Sequence, residues 1–259
     1  NPSGGDTGDM SAAGTPPVRP GRADPGPAVV SLHIWGVPGR RVPAAVSHMA
    51  RHRRPLRALP GLRFAKLLGT GSAVTFTPRD ADSRHWGVLA CWDDEAGPER
   101  FAGSAVAADW GRIAEESATW LLRPLSSHGR WAGQEPFGAP VPARWDGPMA
   151  AITRGRIRPR MWRTFWSSVP PVALDVREGG GLTFALGIGE APVGLQGTFS
   201  TWSGAAALND FAYRRSPHQA VIAQTRQLDW YSEELFTRFA LLSAEGRYDG
   251  SPVPSAAPA

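Results

Sequence analysis

Ser216, Pro217, His218 and Gln219 bring a metal-ligating side chain to the start of a helix. Ser216 is the N-cap, Pro217 takes the first helical position, and Gln219 closes a capping box. His218 falls in the first turn, with Val221, Ile222 and Thr225 three, four and seven residues on. That spacing puts them on the face of His218 and turns the imidazole toward protein. A helix N-terminus disfavours an imidazolium, so the ring stays neutral and its lone pair can bind a metal. A core histidine bonded to a backbone carbonyl fits the same residues.

Other residues carry narrower options. Of 28 Lys and Arg residues only Lys66 is lysine. It alternates with Leu62, Phe64 and Leu68 on an apolar strand face, where it acts as an acid, pairs with a carboxylate, anchors a propionate or reaches a solvated rim. Arg154, Arg156, Arg158 and Arg160 alternate along one stretch and share one side, which reads as a solvated face, with binding of propionates or lipid headgroups as the alternative, and Arg51, Arg53, Arg54 and Arg57 read the same way. His48 and His52 have a spacing that suits zinc, but no third ligand of matching spacing is evident, so the pair is assigned to the surface. Cys91 could be a thiolate ligand; among Leu89, Ala90 and Trp92 it reads as a buried inert thiol. Walker, dinucleotide, Gly-x-Ser-x-Gly and zincin motifs are absent from the sequence.

These residues sit in 259 residues with 42% hydrophobic and 20% charged content, which fits a soluble globular protein. A single cysteine excludes an internal disulfide framework, and the absence of a signal-like stretch or a long apolar run predicts a cytoplasmic protein. The net charge of +5 is spread along the chain without a nucleic-acid motif, so no nucleic-acid partner is expected.

Residues 1–27 have the composition of a disordered arm. A strand is predicted at Val29 to Trp35, and a helix from about Ala44 to Leu56 with Val46, Met49 and Ala50 on its apolar side. Strands follow at Gly61 to Gly69 and Trp86 to Trp92. A short helix ends near Phe101, a longer one covers about Asp109 to Trp120, and a strand at Gly129 to Gly133 closes the unit. Residues 134–147 read as a linker, residues 148–250 as a second unit and 251–259 as a flexible tail. The second unit repeats the first. Gly181-Leu-Thr-Phe-Ala-Leu-Gly-Ile-Gly189 matches Gly61 to Gly69, while Trp92, Phe101 and Trp120 correspond at one constant offset to Trp202, Phe211 and Trp230. Gly246-Arg-Tyr-Asp-Gly250 closes the second unit as Gly129-Arg-Trp-Ala-Gly133 closes the first. The position matching His218 is Ala108, so one unit alone carries the histidine.

Two βαββαβ units predict an α+β fold of tandem ferredoxin-like repeats, each covering the other's free sheet face to make an intrachain dimeric α/β barrel with a pocket between them. Several segments resemble the spheroidene monooxygenase family of carotenoid biosynthesis. They are Gly61-Leu-Arg-Phe-Ala-Lys-Leu-Leu-Gly-Thr-Gly71, Phe76-Thr-Pro78, Ser126-Ser-His-Gly-Arg-Trp131, Gly187-Ile-Gly-Glu190, Thr198-Phe-Ser-Thr-Trp202, Pro217-His218 and Trp230 to Phe239.

The resemblance implies a haem-dependent monooxygenase that introduces a keto group into a large apolar substrate. His218 would be the axial ligand of haem b iron, with Phe199, Trp202 and the strand around Phe184 as pocket walls. Lys66 and Glu190 match the family segments and are the candidate catalytic pair. It also implies an external electron donor such as a ferredoxin, and allows loose association with a membrane surface and self-association. A haem lyase of the aldoxime-dehydratase kind and a non-catalytic binder of haem or another apolar ligand are the alternatives.

Overall fold

The computed structural model describes residues 24, 26–72, 80–141, 143–158, 180–190, 197–214 and 231–255. The first strand, β1 (Val29–Gly36), is buried at all eight positions. Such a β-branched and aromatic run suits a strand covered on both faces. Two helices follow, α1 (Val42–Arg51), entered through Pro43, and α2 (Arg53–Arg57). After β2 (Leu62–Gly71) and β3 (Ala81–Trp92) come α3 (Gly97–Ala102) and α4 (Ala105–Ile113). Ser104 caps α4 by accepting a bond from the Ala107 amide at 3.2 Å. The long β4 (Glu116–Gly129) precedes β5 (Met149–Ile157), β6 (Leu182–Gly189), β7 (Gly197–Trp202), α5 (Ala205–Arg214), β8 (Tyr231–Tyr248) and the two-residue β9 (Ser251–Pro252).

All strand pairings are antiparallel, in the order β4-β1-β3-β2-β6-β7-β5-β8-β9. Because β4 also pairs with β8, the eight long strands return to their starting point. The main core draws on all eight, among them Leu32, Phe64, Leu89, Trp120, Ile152, Leu186, Phe199 and Phe239. A second cluster, with Trp35, Met49, Trp86, Trp92, Phe101 and Trp110, lies between the outer face of β1–β3 and the first four helices. A smaller one joins Met149, Trp202 and Leu208 under α5.

Corresponding positions are built alike. Pairing of β2 with β3 shifts between Leu62 and Phe64, and that of β6 with β7 between Leu182 and Phe184. Gly61 and Gly181, at φ 71° and 89°, accept bonds from the amides of Asp93 at 2.9 Å and Ser203 at 2.8 Å. Trp92 packs on Phe101 as Trp202 packs on Phe211.

Several expected boundaries are corrected. Helix α4 stops at Ile113, and Trp120 lies in β4, where Ala118, Trp120 and Leu122 alternate inward. A period of two decides that segment. The stretches 129–133 and 246–250 are a strand end followed by a turn, with matching left-handed residues: φ 55° and 74° at Ala132 and Gly133, 49° and 73° at Asp249 and Gly250. In α1, Ala45 and Met49 are buried whereas Val46 and Ala50 are exposed, one position from the expected face. Asp24 and Gly26 are held by Arg63, and Val253 is buried. Trp230 lies outside the described residues.

Candidate functional site

Lys66 shares the inner face of β2 with Phe64 and Leu68 and meets Glu190, just beyond β6. The register that pairs Gly69 with Gly189 brings them together, and Lys66 Nζ is 2.6 Å from Glu190 Oε2. Trp131 donates its indole N–H to Glu190 Oε1 at 2.6 Å, and Arg154 Nη2 donates to the same oxygen at 3.0 Å. Arg154 Nη1 bonds Glu233 at 2.7 Å, and the guanidinium lies 5.0 Å from the Trp131 ring centre. Glu233 also accepts from the amides of Ala132 and Gly133 at 2.9 and 2.7 Å. Two cations and two carboxylates thus balance at one end of the inner face.

Burial alone would raise the Glu190 carboxyl, but the bonds from Lys66 and Trp131 and the charge of Arg154 outweigh it and hold the pKa below normal. Glu233 is also depressed: its burial is overcome by the two amides and Arg154. Both side chains therefore stay ionised, and the strong donors on Glu190 leave it a weak base. Arg154 corrects the expectation of a solvated arginine row, because it is 3% exposed and its partners come from distant segments. Arg156 is exposed as expected, and Arg160 lies outside the described residues.

A second polar group marks the matching position on the other side. His85 lies with Nδ1 2.6 Å from Asp82 and Nε2 2.8 Å from Glu116. Glu116 accepts from the amides of Asp249 and Gly250 at 2.8 and 2.9 Å. Burial pushes the His85 pKa down, and the two carboxylates more than reverse that push. The group borders an open cavity of about 190 Å³ lined also by Gly36, Val37 and Arg84.

The outer face of the sheet differs between corresponding strands. Across β1, β3 and β2 it carries His33, Val88 and Leu67 in one row and Trp35 and Trp86 in the next. Across β5, β7 and β6 the row matching His33, Val88 and Leu67 is Thr153, Thr198 and Gly187, while Ala151, Ser200 and Ala185 match Ser31, Ala90 and Ala65, a row that is small on both faces. Gly155 stands where Trp35 stands. The second face is therefore the flatter one, because Thr153, Gly187 and Gly155 stand where the first carries His33, Leu67 and Trp35.

The expected wall residues fall on opposite sides of β7. Phe199 is fully buried inside against Trp120 and Phe184, while Trp202 is outside at the edge of the floor, stacked on Phe211 and donating to Ser200 Oγ at 2.9 Å. Alternation along the strand separates them. His218 lies outside the described residues. Cys91 points into the core, and burial pushes its thiol pKa up, so it is inert there. His52, expected at the surface, is 6% exposed and faces Asp109 on α4.

Trp131, Glu233, His85 and Glu116 escaped the sequence reading. The signal that could have found two of them is the match between Gly129 to Gly133 and Gly246 to Gly250, since each turn binds a glutamate from the opposite strand.

No family model matches the sequence. A solved structure of aldoxime dehydratase in complex with butyraldoxime is similar with a TM-score of 0.54 at 9% identity, covering 82% of this chain and 79% of that one. The likeness supports the α+β fold class that the antiparallel sheet and its few helices define. Spheroidene monooxygenase of Rhodobacter capsulatus is 38% identical over 229 residues, 86% of this chain and 93% of that protein. The enzyme of the same name from Rubrivivax gelatinosus is 39% identical over 198 residues, 76% of this chain and 75% of its own. The chain belongs to the spheroidene monooxygenase family.

Proposed function

We propose that the protein is a haem-dependent monooxygenase that oxidises a carotenoid-like polyene to a keto product. The observation that carries the reading, beside family membership, is the small-residue floor. Thr153, Thr198 and Gly187 give a flat surface where His33, Val88 and Leu67 fill the corresponding place. A planar macrocycle needs such a floor, so the residues present fit haem. His218 would ligate the iron, with Trp202 at the floor's edge. Haem bound there would supply the oxygen chemistry.

The chain's own residues have supporting tasks. The floor presents apolar carbon and short hydroxyls that leave room for an apolar substrate. Phe199 and the inner core keep β7 rigid beneath it. Lys66 and Glu190, expected as a catalytic pair, lie on the inner face and act in this reading as positioning residues that join β2 to β6. Inserting one oxygen atom from O₂ and releasing the other as water consumes two electrons and two protons. A ferredoxin-type donor supplies the electrons. Two successive hydroxylations at one CH₂ and loss of water give the ketone.

The same reading takes the two βαββαβ units as a duplicated pair forming an intrachain dimeric α/β barrel. Matched bulges, matched turns and the β4–β8 closure support it. No helix of the described residues is long and apolar enough to cross a membrane. Exposed Arg51, Arg53, Arg54 and Arg57 give a basic face for peripheral contact with the membrane that holds the substrate.

The test is the haem content and absorption spectrum of protein made with a haem precursor, beside His218→Ala, followed by turnover of an acyclic carotenoid with oxygen and a ferredoxin system. A histidine-dependent Soret band with oxygen-dependent ketone formation supports the reading. Failure to bind haem, or ketone formation unaffected by His218→Ala, overturns it.

A further inference from the structure

We propose that His48, His52 and Asp109 form a divalent-metal site, suited to zinc, that ties α1 to α4. His48 and His52 stand one helical turn apart on α1, and α4 presents Asp109 to them. One ligating atom from each of the three lies within 4.8 Å of the others. His52 Nε2 and Asp109 Oδ2 are 3.0 Å apart, close to the spacing of two ligands around an ion with bonds of about 2.0–2.1 Å. The His48 ring centre is 4.7 Å from that of His52, so a small rotation supplies the third ligand. Two imidazoles and a carboxylate are a donor set zinc accepts, with water at a fourth position on the half-exposed side of His48 and Asp109.

The surroundings orient these ligands. The buried ring of His52 is fixed in the helix interface, and His48 packs 5.2 Å from the Trp110 ring centre. Arg112 pairs with Asp109 Oδ1, which leaves Oδ2 directed at the histidines. Such an outer partner is usual for a metal-bound carboxylate. The charge of Arg51 lies near both rings and that of Arg112 near His48. The same arginines repel an incoming cation, and the three ligand bonds must exceed that repulsion. A plain helix-to-helix hydrogen bond accounts for His52 and Asp109 but gives His48 no part.

The test uses tag-free, full-length protein stripped with chelator and dialysed against zinc, with metal content counted by mass spectrometry and melting followed with and without zinc. Iron is counted separately, so haem loading does not enter the result. The expected result is about one zinc per chain and a higher melting temperature with zinc. Both effects are lost in His48→Ala and Asp109→Asn and retained in His128→Ala, which alters an exposed histidine elsewhere. Melting of His48→Ala without zinc, unchanged from the parent, shows that the fold survives. Equal zinc content in the parent and His48→Ala overturns the site. Site-specific uptake that leaves the melting temperature unmoved overturns its role as a tie between helices.

Discussion

Glu116 and Glu233 occupy matching places, each closing a backbone turn that belongs to the opposite part of the chain. Glu116 accepts the amides of Asp249 and Gly250, and Glu233 those of Ala132 and Gly133. At the turn entrances, a Cβ on Gly129 would meet the Glu234 carbonyl at 2.1 Å, and one on Gly246 the Ser117 carbonyl at 2.1 Å. The remaining acceptor capacity of each carboxylate takes a different cation, His85 for Glu116 and Arg154 for Glu233. One device therefore serves two ends with different chemistry.

At the Glu233 end, Arg154 holds two carboxylates from a site 3% exposed. Removing one member of a buried ion pair leaves a charge uncompensated, at about 3–5 kcal/mol. Arg154→Ala should lose that much in urea unfolding. Trp131→Phe, which removes one donor from Glu190, should lose about 1–3 kcal/mol. Equal stability of Arg154→Ala and the parent would contradict the ionic role.

The Glu116 end should make stability depend on pH. The folded pKa of His85 is raised above its ordinary value of 6.5, so its stabilisation is full below about 6.5 and lost as pH rises through the raised value. Asp82 and Glu116 are depressed: burial pushes both up, and bonding to His85 with backbone amides overcomes it. Their contribution is present above the ordinary carboxylate range and lost as pH falls through the lowered values. Unfolding measured from acid to alkaline pH should flatten on the alkaline side in His85→Gln, and a parent curve of the same shape would refute the assignment.

The small floor can be filled from the chain's own pattern. Gly187→Leu and Thr198→Val copy the Leu67 and Val88 of the corresponding strands. Both variants together should fold with unchanged circular dichroism and lose most haem uptake and carotenoid turnover. Full haem content in the double variant would remove the floor from the proposed haem site.

Much of this is legible in the amino-acid sequence. The Gly61 and Gly181 segments read as matched strands because their residues repeat locally, and the shared bulge and left-handed glycine are the structural counterpart of that repeat. Lys66 on an apolar face announced a required partner, but not which one. Its partner Glu190 depends on β2 pairing with β6, a long-range register with no local signature. Arg154 looked solvated for the same reason, since neither Glu190 nor Glu233 is near it in sequence. Trp120 reads as the end of a helix but lies in β4, where Ala118, Trp120 and Leu122 alternate inward with a period of two.

The basic face on α1 and α2 gives the last prediction. Arg51, Arg53, Arg54 and Arg57 are exposed, and no ion pair joins them to a carboxylate among the described residues. Near an anionic bilayer each arginine contributes about 1 kcal/mol, and salt weakens the attraction. Replacing all four with serine should therefore reduce co-sedimentation with phosphatidylserine-containing vesicles on the order of a hundredfold to a thousandfold. Neutral vesicles should bind neither protein. Parent binding that is insensitive to salt would instead point to an apolar anchor, because counterions screen exposed arginines and leave buried hydrocarbon unaffected.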